Sequence, residues 1–356
     1  MDDTLTFSLL IIIAFIGVFW GISLLNPTGI AGLLPSGSGG TLLASAASAF
    51  TGAPAENGTF LISYDTFANV HSATIQSNTP LHVFDVATQT TTQPRTLYLA
   101  TDHGMVLSFD SGLTWHQFTS SNNEITSDAS VLRIVQTGST TYLISVFQNG
   151  EGVMYQTTDN FFTLTPLLNF KHEAAYDMVP TASYLYVGLS NGQVIQYSWK
   201  MHTSEVVYVF KSPVARMVSH NNEWYILLKS GVLITGESLA GPFSQVIVPG
   251  GGLFASSASV IHMAFDTNGV LYVQTSEGIW RSDDAGKTFV VLKHIPLLSS
   301  TINAFEVHGT TVYVFSDGRL FMSTDGGTSW KTQDTATSFT PTRFFFEGDG
   351  LVLLTY

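Results

Sequence analysis

An eight-residue pattern occurs three times in this chain: serine, any residue, aspartate, any residue, glycine, any residue, threonine or serine, and an aromatic residue. Its fixed positions are Ser108, Asp110, Gly112 and Trp115, then Ser282, Asp284, Gly286 and Phe289, then Ser323, Asp325, Gly327 and Trp330. A partial copy around Asp159 keeps the aspartate and lacks the glycine. An aspartate can accept backbone N–H bonds within a tight turn, and glycine adopts backbone angles that other residues resist. The pattern therefore predicts a repeated turn whose closing aromatic residue enters the core of a sheet.

The strands around these turns also recur at a regular spacing. Apolar segments with a central tyrosine lie 39 to 47 residues apart, which is the length of one four-stranded propeller blade. These tyrosines are Tyr98, Tyr142, Tyr186, Tyr225, Tyr272 and Tyr313. A last apolar segment, residues 350–354, lacks the second half of a blade, and residues 58–75 supply a matching half. The sequence therefore predicts six complete blades and a seventh that is shared between the two ends of the domain.

The repeated turn resembles the Asp-box, or BNR, repeat of β-propellers such as sialidases, sortilin-type receptors and photosystem II assembly-factor-like proteins. This resemblance covers about residues 58–356 and implies a structural role for the turn itself. The expected fold class is all-β: a seven-bladed β-propeller with Asp-box turns, preceded by one N-terminal transmembrane helix. The expected organisation is a membrane anchor in residues 1–27, a tether in residues 28–57 and the propeller in residues 58–356.

The anchor is expected because residues 5–25, from Leu5 to Leu25, carry no charge. At 1.5 Å per residue a helix of this length spans a bilayer. A cleaved signal peptide and a packed helix of a larger assembly are the alternatives, although the acidic start at Asp2 and Asp3 differs from the basic start of signal peptides. Residues 28–57 are rich in glycine, serine and alanine, which is typical of a tether. We expect the propeller to lie on the extracytoplasmic side of the membrane.

The composition excludes several classes of function. The formal net charge is −13, and the chain has no cysteine. Nucleic-acid binding is not expected because basic residues are few and form no stripe. Disulfides, zinc–thiolate sites and a thiol nucleophile are excluded. The ten histidines are scattered singly, so neither a metal site nor a cofactor is expected.

A column of polar residues is predicted near the propeller axis. When the first strand of each blade is aligned by its distance from the tyrosine strand, the column contains His82, Arg133, Asp177, Arg216, His262, Asn303 and Arg343. Three of the six arginines in the chain belong to it. Guanidinium groups bind carboxylate and phosphate with a forked geometry, so one interpretation is an anion-binding mouth for a partner or ligand. In the other, the arginines pair with Asp177 or with nearby carboxylates such as Asp85 and Glu306.

The sequence favours binding over catalysis. Sialidases use three arginines with a Tyr–Glu nucleophile pair, and no such pair is evident beside Arg133, Arg216 and Arg343. In size and single-ring design the chain is similar to the photosystem II assembly-factor-like propellers, which implies a non-enzymatic protein that binds partner proteins outside the cytoplasm, such as the subunits of a membrane complex. Two alternatives are a structural subunit of a filament or larger membrane complex, and a glycan-binding or sialidase-like glycoside hydrolase.

Overall fold

A computed structural model of the chain describes residues 58–63, 71–75, 81–89, 94–118, 124–250, 257–292, 295, 302–334, 341–347 and 350–355. All of them belong to one compact unit, Gly52–Tyr356. These residues form β-strands joined by turns, with no helix among them. The strands are assembled into four-stranded antiparallel sheets, which are the blades of a β-propeller.

Six blades are each formed by four strands that are consecutive in the chain. They are β3 (Val83–Gln89), β4 (Thr96–Thr101), β5 (Gly104–Ser108) and β6 (His116–Phe118); β7 (Ser130–Gln136), β8 (Tyr142–Gln148), β9 (Glu151–Thr157) and β10 (Thr165–Asn169); β11 (Ala175–Pro180), β12 (Tyr184–Leu189), β13 (Gln193–Ser198) and β14 (Thr203–Val209); β15 (Val214–His220), β16 (Glu223–Leu228), β17 (Leu233–Gly236) and β18 (Ser244–Gln245); β19 (Val260–Phe265), β20 (Leu271–Thr275), β21 (Gly278–Ser282) and β22 (Val290–Val291); and β23 (Ala304–His308), β24 (Thr311–Ser316), β25 (Arg319–Ser323) and β26 (Lys331–Asp334).

The remaining sheet is a composite of strands from the two ends of the domain. It contains β1 (Gly58–Ser63), β2 (His71–Ile75), β27 (Pro341–Glu347) and β28 (Gly350–Thr355) in the order β2-β1-β28-β27. Strands β1 and β28 are antiparallel, with Phe60 opposite Leu354. The predicted pairing of N- and C-terminal strands is therefore confirmed. This pairing removes two strand edges whose free N–H and C=O groups would otherwise invite association with other chains.

Contacts between neighbouring sheets follow the order of the chain and close into a ring. Strand β3 contacts β7, β7 contacts β11, β11 contacts β15, β16 contacts β19, β19 contacts β23, and β23 contacts β27. The ring closes because β27 of the composite sheet contacts β3 of the first blade. The first strand of each blade therefore lies innermost.

The predicted fold class is corrected in its number of blades. Six blades, not seven, are built from four consecutive strands, and the remaining sheet is the composite one. Within the described residues, no helix is long and apolar enough to cross a membrane. The predicted transmembrane segment, residues 5–25, lies outside the described residues.

The tyrosines that define the repeat mark the core of the blades. Tyr98, Tyr142, Tyr225, Tyr272 and Tyr313 are buried. They stand on the second strand of each blade, where the alternation of strand side chains directs them into the space between neighbouring sheets. The Tyr98 and Tyr142 rings, from adjacent blades, lie 5.5 Å apart between centroids. Rings shared between blades stabilise the contact by burying apolar surface.

The three complete copies of the repeated turn have nearly the same hydrogen bonds. In each, the serine hydroxyl donates to the aspartate Oδ1 at 2.8 Å and accepts the glycine N–H at 2.7 Å. The same aspartate accepts the backbone N–H and the hydroxyl of the residue four positions later. The glycines have φ between 85° and 89°. The closing residues Trp115, Phe289 and Trp330 pack, partly buried, against the hydrophobic core.

The partial copy around Asp159 has the same geometry without glycine. The Thr157 hydroxyl takes the place of serine, and Asp159 accepts the N–H and hydroxyl of Thr163 at 2.9 and 2.6 Å. Phe161 occupies the glycine position with φ of 70° and donates its N–H to Thr157 Oγ1. Its fully buried ring lies 4.4 Å from the Tyr98 ring centroid. The turn therefore requires a positive φ, and here a core phenylalanine adopts it.

Candidate anion-binding site in the central channel

A β-bulge near the start of most innermost strands directs one side chain toward the ring axis. Strands β3, β7, β11, β15, β19 and β27 each shift register just before one residue. Those residues are Asp85, Arg133, Asp177, Arg216, His262 and Arg343. A bulge inserts an extra residue and redirects the side chain beside it. The polar column of the sequence is therefore produced by a repeated backbone irregularity.

Two cavities lie along this column. The large cavity, of about 970 Å³, is lined by five predicted residues: Arg133, Arg216, His262, Asn303 and Arg343. The small cavity, of about 260 Å³, is lined by Asp177 together with the same three arginines. The arginines thus border both cavities and lie between them.

His82 lines neither cavity, although it was predicted to belong to the column. Strand β3 begins one residue later, and the bulge between Val83 and Asp85 gives the axial position to Asp85. The His82 backbone N–H instead donates to Asp102 Oδ1 at 2.9 Å. Alignment by distance from the tyrosine strand is therefore wrong by three residues in this blade.

Arg133 is held between two buried carboxylates. Its Nη1 lies 3.0 Å from Asp85 Oδ2, and its Nε lies 3.0 Å from Asp177 Oδ1. The two aspartate side chains are only 5% and 4% exposed. Burial alone would lower the pKa of Arg133, but the two carboxylates outweigh burial and raise it. Its charge is therefore compensated within the protein.

Glu306 provides a second centre of negative charge. Its Oε2 lies 3.1 Å from His262 Nε2 and 3.9 Å from Arg216 Nη1. Burial alone would raise the pKa of Glu306, but His262 and then Arg216 outweigh burial and lower it to about 2. Because 3.9 Å exceeds hydrogen-bond length, Arg216 is only loosely paired.

Arg343 differs from the other two arginines. Its Nη1 donates to the carbonyl oxygen of Phe84 at 2.7 Å, and its guanidinium lies 5.2 Å from the Phe345 ring centroid. Among the described residues, no carboxylate forms an ion pair with it. The pKa of Arg343 is lowered: desolvation lowers it most, Asp85 raises it in part, and the positive charges of Arg216 and Arg133 lower it further. Its charge is the least compensated of the three.

Lys229 is a cation that the sequence reasoning missed. It lines the small cavity, and its Nζ lies 3.4 Å from the Tyr176 ring centroid. It was missed because it directly follows β16, a second strand, whereas the predicted column contained only residues of first strands. The signal for finding it is the pairing of Leu228 with Val214, which places the end of β16 beside the start of β15.

The described residues do not form a sialidase-like centre around the arginines. Two Tyr–Glu pairs occur among the described residues: Tyr225 Oη donates to Glu223 Oε2 at 2.9 Å, and Tyr155 is hydrogen-bonded to Glu124. None of these four residues lines the large or the small cavity. Burial, followed by Glu223, raises the pKa of Tyr225, which opposes formation of a nucleophilic phenolate. The described residues also contain no group of three or more histidine or acidic side chains that could hold a metal ion.

Comparisons with known proteins agree on the fold. No protein-family model matches the sequence, and no curated protein matches it. Among solved structures, the chain is similar to YCF48 bound to D1 peptide, with 13% identity, 77% of this chain and 93% of that chain covered, and a TM-score of 0.57. The chain is a β-propeller. It is also similar to YCF48 from Cyanidioschyzon merolae (12% identity, 77% and 92% covered, TM-score 0.59). BBS1N in complex with ARL6DN is a further similar structure (13%, 77% and 91%, TM-score 0.50). At these identities the similarity concerns the fold alone.

Proposed function

We propose that this protein is a non-enzymatic binding or assembly module that recognises an anionic group of a partner protein at the arginines of its central channel. Arg343 is the observation that carries the proposal. It borders both cavities, and no carboxylate of the described residues pairs with it. Its guanidinium is exposed and hydrogen-bonds a carbonyl oxygen, so its forked donors are accessible to an anionic group of a partner.

The charge of the whole chain gives this site selectivity. With a formal net charge of −13, most of the surface repels acidic partners. The channel differs, because its cations outnumber its carboxylates: Arg133, Arg216, Arg343 and Lys229 face Asp85, Asp177 and Glu306 there. An anionic segment is therefore directed to the channel by the electrostatic field before it makes close contacts.

The similar propellers support the class of function. One was solved with a bound D1 peptide and another in complex with ARL6DN, so this fold serves protein binding in both. We also assign the repeated turns to the Asp-box pattern, with a structural role. Membrane attachment through residues 5–25, with the propeller on the extracytoplasmic side, is proposed on the uncharged length of that segment.

Site-specific photocrosslinking tests the proposal. A photoreactive amino acid is placed at position 261, because Ile261 lines the large cavity and is 58% exposed. The control position is 290, because Val290 is 65% exposed and lines neither cavity. In native membranes we expect position 261, and not position 290, to form an adduct with a partner polypeptide.

Arginine variants show whether the adduct depends on the channel. Arg343→Ala is expected to abolish crosslinking from position 261. Arg281→Ala is the matched control, because Arg281 pairs with Asp283 and lines neither cavity. Crosslinking that persists in Arg343→Ala would show that the arginines do not recognise the partner. If position 261 forms no adduct, the channel is not the binding site.

A further inference from the structure

We propose that the small cavity is a binding site for a phosphate group. Its lining contains four cationic side chains and one carboxylate: Arg133, Arg216, Lys229 and Arg343 with Asp177. The inference deepens the proposed function by naming the chemical class of the ligand. It rests on the proposed function only in placing the site at the channel arginines.

The one carboxylate of the small cavity is already engaged. Asp177 Oδ1 lies 3.0 Å from Arg133 Nε, and its Oδ2 accepts the Met217 N–H at 2.6 Å. The other two acidic residues of the channel, Asp85 and Glu306, line the large cavity and not the small one. Asp177 therefore offsets Arg133, and the small cavity retains an excess of positive charge.

Three cationic groups are available to a ligand there. Arg216 stands 3.9 Å from its nearest carboxylate, and Arg343 hydrogen-bonds only a carbonyl oxygen. The Lys229 ammonium lies over the face of the Tyr176 ring, a contact that leaves its charge uncompensated. An anion that binds all three groups has to present several acceptor oxygens in different directions.

Size and oxygen count favour phosphate over a carboxylate. A volume of about 260 Å³ lies just below the roughly 300 to 1,000 Å³ of usual small-molecule sites, so the ligand is compact. A carboxylate has two oxygens, which one guanidinium fork can occupy. A phosphate group offers at least three acceptor oxygens and a charge near −2 at neutral pH. It can therefore serve two guanidinium forks and one ammonium together.

Repulsion among the arginines also favours a dianion such as phosphate over a monoanion. Desolvation, and after the opposing effect of Asp85 the positive charges of Arg216 and Arg133, lower the pKa of Arg343. A bound dianion would relieve this repulsion, and a monoanion would relieve it less.

Isothermal titration of the full-length protein with inorganic phosphate tests the inference at constant ionic strength and pH 7.5. Acetate and malonate are titrated in parallel. We expect phosphate to bind at least about tenfold more tightly than either, because a lost charge-assisted hydrogen bond costs about that factor. Lys229→Ala should weaken phosphate binding about tenfold, and Lys331→Ala, an exposed lysine outside both cavities, should leave it unchanged.

The titration tests the phosphate site independently of the crosslinking experiment, which tests partner binding. No measurable phosphate binding, equal binding of acetate or malonate, or an unaltered affinity in Lys229→Ala would overturn it, even where position 261 crosslinks a partner. Because Lys229 is exposed, its variant reports on the site without disturbing the core. O-phosphoserine forms a further arm of the titration. Tighter binding of the ester than of inorganic phosphate would indicate a phosphorylated molecule as the source, and the reverse would indicate the free ion.

Discussion

At position 161, backbone strain that destabilises the turn is offset by a buried aromatic ring that stabilises the core. Phe161 has φ of 70°, where residues other than glycine lose about 1–2 kcal/mol, and its ring is fully buried beside Tyr98 and Tyr142. Truncation of a buried phenylalanine to alanine costs about 3–5 kcal/mol. Phe161→Ala keeps the backbone strain and loses the ring, so we expect its free energy of unfolding to fall by the full amount of about 3–5 kcal/mol.

Phe161→Gly loses the same ring but also relieves the strain, so its net cost should be about 1–4 kcal/mol, and about 1–2 kcal/mol less than that of Phe161→Ala. Glycine should therefore be more stable than alanine at this position, which reverses their usual order in regular structure. The free energy of unfolding is measured by urea titration, with Phe162→Ala as the matched control. Phe162 is the next residue and is 74% exposed, so its truncation should cost less than about 0.5 kcal/mol. If Phe161→Gly is less stable than Phe161→Ala, the turn does not demand a positive φ.

Two further predictions concern charge. Arg133→Ala leaves two buried carboxylates without their cation and should cost about 3–5 kcal/mol in urea unfolding, whereas Arg281→Ala, at an exposed pair, should cost less than about 1 kcal/mol; equal losses would contradict the buried bridge. Hydrogen bonds lower the pKa of Asp284 and Asp325 from 3.8 to about 2. The largest contribution comes from the hydroxyl of the threonine or serine four residues later. Because both pKa values are lowered on folding, this stabilisation is present above about pH 4 and is lost as the pH falls toward 2. Asp284→Asn combined with Asp325→Asn should flatten the pH dependence of the urea midpoint in that window, and parallel curves for variant and wild type would refute the assignment.

The repeat period and the pairing of the chain ends could be predicted from the sequence because both follow from local patterns. A blade needs four strands and their turns, which fixes its length, and an incomplete blade at one end requires its complement at the other. The same regularity brought Arg133, Arg216 and Arg343 into one column. These inferences depend on strand spacing, which tolerates small errors in alignment.

The details of the site depend on single residues, and there the sequence was less informative. A bulge adds one residue to a strand without a composition that marks it, so His82 was chosen where Asp85 occupies the axial position. Lys229 reaches the small cavity from a hairpin outside the aligned strands. The turn at Phe161 has no glycine because a core ring compensates for its strain. In each case a tertiary contact decides which residue occupies the position.

The composite sheet has a consequence for how the protein is made. Its order, β2-β1-β28-β27, joins the first two strands of the propeller with its last two. The earlier blades can form during synthesis, but β1 has no neighbour on one side until β28 is translated. During that interval the unpaired edge of β1 is open to association with other chains, so late synthesis of β28 makes the nascent propeller prone to intermolecular pairing at this strand.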